Sequence, residues 1–278
     1  MEGRLSMLIN CHTHTARSHD SAADPFAVCA SALKKNLAGI IFTDHCDCEF
    51  AHATDIFSQF DGCAQDFAKV KSAYTDKLQL FFGIELGDPL FDPAFARKII
   101  AAHPFDAILL SVHAVRMPGY STPFSRIDFG FADDDFLYTY LKQYFTDVLA
   151  SVKTFDFDIL CHLTVPLRYI MLKYHKKIDL SPFSECIDRI LTETLTRDKT
   201  LEVNTSALAL AEGFLMPDET IIDRYLRLGG TAFSIGSDAH TPENIASGLA
   251  QTAALLRSKG IKKLCCYNNR QRFFYSID

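Results

Sequence analysis

Leu80-Phe81-Phe82-Gly83-Ile84-Glu85 is an apolar run that ends in a carboxylate. A run this short and this apolar reads as a strand buried on both faces. A carboxylate at its end is strongly disfavoured unless a metal ion or an arginine meets it. The same arrangement recurs along the chain. Leu8-Ile9 leads into His12-Thr13-His14 and on to Asp20, and Gly39-Ile40-Ile41-Phe42 leads into Asp44-His45. Ala107-Ile108-Leu109-Leu110 leads into His113, Phe157-Asp158-Ile159-Leu160 into His162, and Ala232-Phe233-Ser234-Ile235 into Asp238 and His240. Six of the ten histidines, two aspartates and a glutamate thus sit after predicted strands, each at the C-terminal end.

Helical segments separate these strands. Asp24-Pro25 opens a helix to about Asn36, with proline at its first position. A second is expected near 62–75, and a third from Asp92-Pro93 to about His103. Asp133-Asp134-Asp135 precedes a helical stripe of Phe136, Leu137, Tyr140, Leu141, Tyr144, Phe145, Val148, Leu149 and Val152. Further helices are expected from Ser181-Pro182 to Thr196, from Pro217-Asp218-Glu219 to Gly229, and over roughly 242–258, followed by a strand over Ile261–Tyr267. The units starting at His12, Asp44, Glu85, His113, His162, Asn204 and Asp238 lie 28 to 49 residues apart, and a βα unit needs about 30. Seven such units in series predict a single-domain α/β fold over residues 1–278: a distorted, TIM-like (β/α)7 barrel with its site at the mouth. A doubly wound sheet would not bring seven strand ends to one place. The irregular pieces 46–60, 114–132, 163–180 and 205–216 all follow strand ends, where a barrel puts its substrate loops.

The 278 residues carry a net charge of −6 without a basic run, so a nucleic-acid partner is not expected. No signal sequence or membrane-length apolar stretch is apparent, and a cytoplasmic protein is expected. The nine cysteines form no C-x-x-C pair and read as reduced, mostly buried thiols. Cys11 and Cys161 in particular read as apolar fillers at strand ends.

His12 and His14 are two residues apart, which on a strand points both rings to one face; Asp238 and His240 repeat the spacing. Nitrogen and carboxylate donors suit zinc, iron or manganese. Nine candidates exceed one tetrahedral ion, so two or three divalent ions are the economical count. Paired ions suit an in-line phosphoryl displacement. Arg116 and Arg168, three and six residues past His113 and His162, are candidate phosphate clamps; Lys173 and His175 are weaker ones. Asp47, Glu49 and Asp128 are candidate receivers of a substrate ammonium. His52 and His103 read as structural or surface groups.

As a set, His12-Thr-His14, Ser18-His19-Asp20, Thr43-Asp44-His45, Gly83-Ile84-Glu85, Ser111-Val112-His113, Asp158 to His162, Glu202-Val203-Asn204-Thr205 and Gly236-Ser237-Asp238-Ala239-His240 resemble the polymerase and histidinol phosphatase (PHP) superfamily of metal-dependent phosphoesterases. The motifs occur in that family's order and cover residues 10 to 240. The resemblance implies a distorted (β/α)7 barrel and a trinuclear centre. It puts His12, His14, Glu85 and Asp238 on one ion, Glu85 with His113 and His162 on a second, and Asp20, His45 and His240 on a third. Glu85, His113, His162 and Asp238 are the implied catalytic core. The resemblance makes Asp20 the ligand rather than His19, which would face phosphate, and puts Asp44 and Asn204 behind the ligands. Asn10 stands where the family often has aspartate.

The chain's size and its Ser-His-Asp motif resemble the histidinol-phosphate phosphatases. The implied reaction converts L-histidinol phosphate and water into L-histidinol and inorganic phosphate, a phosphoric monoester hydrolysis of histidine biosynthesis in which hydroxide held between ions attacks phosphorus. A phosphoesterase acting on nucleotides or another small phosphomonoester is the alternative. A non-catalytic metal-binding module is disfavoured, because all nine ligand positions hold competent donors.

Overall fold

The computed structural model describes residues 8–50 and 55–278, so His52 lies outside the described residues. Eight parallel strands form one sheet: β1 (Ile9–Asn10), β2 (Gly39–Phe42), β3 (His45–Asp47), β4 (Gln79–Gly87), β5 (Ala107–Ser111), β6 (Ile159–Leu160), β7 (Thr200–Asn204) and β8 (Phe233–Gly236). Their order is β1-β2-β4-β5-β6-β7-β8, and short β3 continues the β2 stave along the upper half of β4. The sheet closes on itself. Cys11 N–H donates to the Ile235 carbonyl (2.9 Å), Asp238 N–H to His12 (2.9 Å) and His14 N–H to Ala239 (3.0 Å). These bonds join β1 to β8 and complete the seven-stave barrel expected from the sequence.

The strand period of two then divides the side chains. On β4, Leu80, Phe82, Ile84 and Leu86 pack outward against the helices, whereas Phe81 faces a small inner core. That inner core holds Ile9, Cys11, Ile41, Phe81, Ala107, Leu109, Ile159 and Cys161. Glu85 lies on the same alternation as Phe81, so it enters the barrel above an apolar floor. It is not the last residue of its strand, as expected, because β4 runs on to Gly87.

Among the described residues seven α-helices wrap the outside: α1 (Pro25–Lys34), α2 (Ile56–Tyr74), α3 (Pro93–Ala102), α4 (Asp134–Thr154), α5 (Ser184–Thr196), α6 (Glu219–Arg227) and α7 (Leu249–Ser258). Aspartate caps start five of them: Asp24, Asp55, Asp92, Asp133 and Asp218 accept from the N–H three residues on. The Asp55 cap explains why α2 begins earlier than expected. The last helix begins later, because 242–244 is a separate 3-10 turn and Gly248 takes a left-handed φ of 71° before α7.

The C-terminus holds a hairpin where the sequence predicts one strand. Strand β9 (Lys263–Asn268) pairs antiparallel with β10 (Gln271–Ser276) around Asn269 and Arg270, both at positive φ, as a tight two-residue turn requires. Cys266, Tyr267, Phe273 and Tyr275 plug the lower end of the barrel against the inner core. Two buried aspartates fasten the plug. Asp106 accepts from Phe82 N–H and from the hairpin's Asn269 N–H, each at 2.8 Å. Asp158 accepts from Ile108 N–H (2.8 Å) and pairs with Arg270.

Asp106→Ala leaves two N–H donors without their acceptor, so unfolding free energy should fall by about 1–3 kcal/mol. Denaturant unfolding reads this, and the metal content of the folded variant should match wild type because Asp106 lies at the opposite end from the site.

Candidate metal centre

Glu85 is fully buried, and five imidazoles surround its carboxylate. Oε1 faces His162 Nε2 (2.7 Å) and His113 Nε2 (3.1 Å). Oε2 faces His45 Nδ1 (2.9 Å), His12 Nε2 (3.3 Å) and His14 Nε2 (3.5 Å). Asp238 Oδ1 stands 3.1 Å from His14 Nε2 and 3.7 Å from His12 Nε2. Asp20 Oδ2 lies 3.2 Å from His240 Nε2 and 3.6 Å from His45 Nε2. All nine expected ligands therefore meet at one mouth. The Glu85 carboxylate has a separate imidazole set on each oxygen, as a bridging ligand would, and Asp20 gathers the third set.

Burial alone would push the Glu85 carboxyl up, but His45, His113 and His12 hold it well below the usual carboxylate range. Burial, with His45 and His240 nearby, lowers His14 to about 3, so its ring is neutral at neutral pH, the form a metal requires. His12 Nε2, His14 Nε2, His45 Nδ1, His240 Nε2 and Glu85 Oε2 are buried without a hydrogen-bond partner. Unpaired buried polar atoms are costly, and three of these nitrogens within 3.5 Å of Glu85 Oε2, with His240 Nε2 beside Asp20, fit divalent ions. His12 with His14 and Asp238, His45 with Glu85 and His113, and His14 with His45 and His240 each present donor atoms within 4.8 Å of one another. His162 and Asp238 take left-handed φ values of 27° and 50°, a strain characteristic of functional positions.

A ring of buried acceptors orients the ligands. Glu202 Oε1 binds His12 Nδ1 (2.8 Å), and Oε2 accepts from His162 N–H (2.8 Å). Gly236 makes this possible, because a Cβ there would collide with Glu202 Oε1 and His12. Asp47 Oδ1 binds His113 Nδ1 (3.0 Å). Neither role was read from the sequence, where only Leu201 precedes Glu202 and no apolar run marks it. Asn204 acts one step further back: its Nδ2 donates to Glu202 and its Oδ1 accepts from Ser206. Asp44 reaches His14 only through Ser18, whose hydroxyl donates to Asp44 (2.8 Å) and lies 3.0 Å from His14 Nδ1. Asn10 donates to Ser237 Oγ and the Ile245 carbonyl while accepting from His12 and Ser237 N–H. A carboxylate could not make the two donor contacts.

The cleft above the cluster is lined by His19, Asp20, His45, Asp47, His113, Phe124, Ser125, Arg126, His162, Val165, Arg168, Tyr169, Asp238 and His240. Arg168 is on its wall, as expected, and donates to Ser206 Oγ. His19 is exposed at the rim, with Nδ1 3.9 Å from Asp47. Arg116 is not in the cleft: it forms a two-pronged pair with Asp147 of α4. Arg126 does line the cleft, its guanidinium lying over Phe50. Asp47 is committed to His113, and Asp128 accepts from Gly130 N–H at an exposed turn, so neither is a free receiver of an ammonium. Lys173 and His175 line a neighbouring cavity, and His103 packs against Phe60, Phe82 and Phe105.

Because Glu202 holds His12 by its ring and His162 by its backbone, Glu202→Gln should weaken metal binding by about 10- to 100-fold. Competition with a chelator measures this, with the fold checked by circular dichroism.

Comparison with known proteins agrees with this geometry. Residues 10–206 match the family model described as PHP domain. A Thermotoga maritima protein named "Probable histidinol-phosphatase" is 26% identical over 251 residues, 90% of this chain and 91% of that protein. The histidinol-phosphatase of Lactococcus lactis is 23% identical over 269 residues, 94% of each chain. A crystal structure of histidinol phosphate phosphatase from Lactococcus lactis, complexed with zinc, L-histidinol and phosphate, superposes with a TM-score of 0.77 at 21% identity, covering 96% of this chain and 98% of that one. A parallel barrel closed between β1 and β8, a cluster of histidine and carboxylate donors at its mouth, and a family match spanning most of the sequence make this chain a member of the PHP domain family.

Proposed function

We propose that this protein is a metal-dependent phosphomonoesterase whose substrate is L-histidinol phosphate, using two or three divalent ions at the barrel mouth. The observation that carries this reading is the convergence of His12 Nε2, His14 Nε2 and His45 Nδ1, all buried, on Glu85 Oε2 beneath a cleft that also holds arginine. His12, His14, Glu85 and Asp238 would hold one ion, Glu85, His113 and His162 a second, and Asp20, His45 and His240 a third. Such ions supply Lewis acidity and lower the pKa of bound water towards neutrality. The chain's own residues do the rest. Glu202, Asp47 and Ser18 fix the imidazoles so that each presents a set nitrogen. Arg168 and Arg126 offer guanidinium groups to phosphate oxygens from the cleft wall, and His19 faces the phosphate from the rim. The choice of histidinol phosphate is supported by the names of the relatives that share this barrel over nearly its whole length. Among the described residues no helix is long and apolar enough to cross a membrane.

Turnover of L-histidinol phosphate should exceed that of nucleotides and other phosphomonoesters in a panel; a clear preference for nucleotides would move the substrate within the same chemistry. His162→Ala should cut kcat by more than about 100-fold, and near wild-type turnover in that variant would sink the metal mechanism. Arg168→Ala should raise KM, whereas Arg116→Ala should leave the steady-state constants close to wild type, because Arg116 is held by Asp147 outside the cleft.

A further inference from the structure

Arg168 borders three open spaces at once: the metal cleft, the cavity of Lys173 and His175, and a polar side chamber walled by Ser206, Ser237, Asn244 and Ser247. A long side chain with that much room loses entropy when it is held in one direction. Among the described residues its guanidinium makes one hydrogen bond and no ion pair. Nη1 donates to Ser206 Oγ at 3.2 Å, and the group stands 5.9 Å over the Tyr169 ring.

Ser206 is itself held. It opens the 3-10 turn Ser206–Ala209 just after β7. Its backbone N–H and its hydroxyl both donate to Asn204 Oδ1, at 3.0 and 2.8 Å. The other acceptor within reach of the hydroxyl is Asp238 Oδ2, at 3.3 Å. A hydroxyl has a single hydrogen, and both of these neighbours can only accept it, so a lone pair is left to face Arg168. Asn204 is fixed in turn, because its Nδ2 donates to Glu202 Oε2 at 3.2 Å. The flipped amide would set its oxygen against that carboxylate and its NH2 against the Ser206 N–H.

We propose that Ser206 is a positioning residue for phosphate binding: aligned by Glu202 through Asn204, its oxygen anchors Nη1 of Arg168 and leaves Nε and Nη2 free for phosphate oxygens. This rests on the reading of Arg168 as a phosphate clamp. One carboxylate then sets both halves of the site. Glu202 holds the His12 ring through Oε1, and the oxygen that takes the His162 N–H also takes Asn204. The metal ligands and the clamp are thereby referenced to one group on β7, and phosphoryl transfer tolerates little misplacement between them.

Inorganic phosphate titrated calorimetrically into the zinc-loaded full chain tests this, with KM and kcat for L-histidinol phosphate measured beside it. Ser206→Ala removes a hydrogen bond to a charged group, so it should weaken phosphate binding and raise KM by about 5- to 20-fold, with kcat changed less and metal content unchanged. Ser206→Thr keeps the hydroxyl and should restore both constants. In an Arg168→Ala background, Ser206→Ala should add no further loss, because the group it positions is gone. Equal losses in the two backgrounds would overturn the proposal, as would phosphate binding in Ser206→Ala that matches wild type. Loss of metal from Ser206→Ala would also overturn it, by assigning the hydroxyl to Asp238 instead. An Arg168→Ala protein that binds phosphate like wild type would remove the clamp reading itself, and this proposal with it.

Discussion

The structure depends on keeping one carboxylate charged inside a barrel. Glu85 has no access to solvent, and an isolated ionised carboxylate there would be driven to its neutral form. The imidazoles of His45, His113 and His12 reverse that outcome, and His14 and His162 complete a set of five within 3.5 Å. They come from the first turn of chain after β1, β5 and β6 and from the first residue of β3, so the charge of Glu85 is compensated only when the strands are assembled. The hydrogen bonds that close the barrel between β1 and β8 also position His12, His14 and Asp238.

The rest of the molecule supports that arrangement in layers. At the bottom, the C-terminal hairpin and the aspartates Asp106 and Asp158 close the barrel and exclude water. In the middle, small and branched side chains fill the inner core. Above them Glu85 and Glu202 enter from alternate positions of β4 and β7, followed by the imidazoles and then by the open cleft with its arginines. The gradient from apolar to charged along each stave is the strand period acting on seven sequences in parallel.

Much of this was legible because the physics is local. A carboxylate or imidazole following an apolar run is visible without a structure, and the nine candidate ligands are legible in that way. Glu202 closes no apolar run, and its partner His12 is 190 residues away, so nothing local marks its role. Arg116 illustrates the limit. Three residues past His113 it looked poised for phosphate, yet Asp147, 31 residues further on, draws the side chain to α4. Loop direction is set by such tertiary pairs, which spacing does not encode. The hairpin was half visible. Its first strand reads as apolar, but β10 alternates exposed and half-buried residues, and its turn lacks the glycine that usually marks one.

Metal stoichiometry by elemental analysis of carefully purified wild type and of Glu85→Gln tests the central claim most directly. The neutral amide keeps the shape of Glu85 but not its charge. If Glu85 joins the ions, wild type should carry two or three per chain and the variant should lose more than one of them. A folded Glu85→Gln protein that retains the full complement would contradict the account.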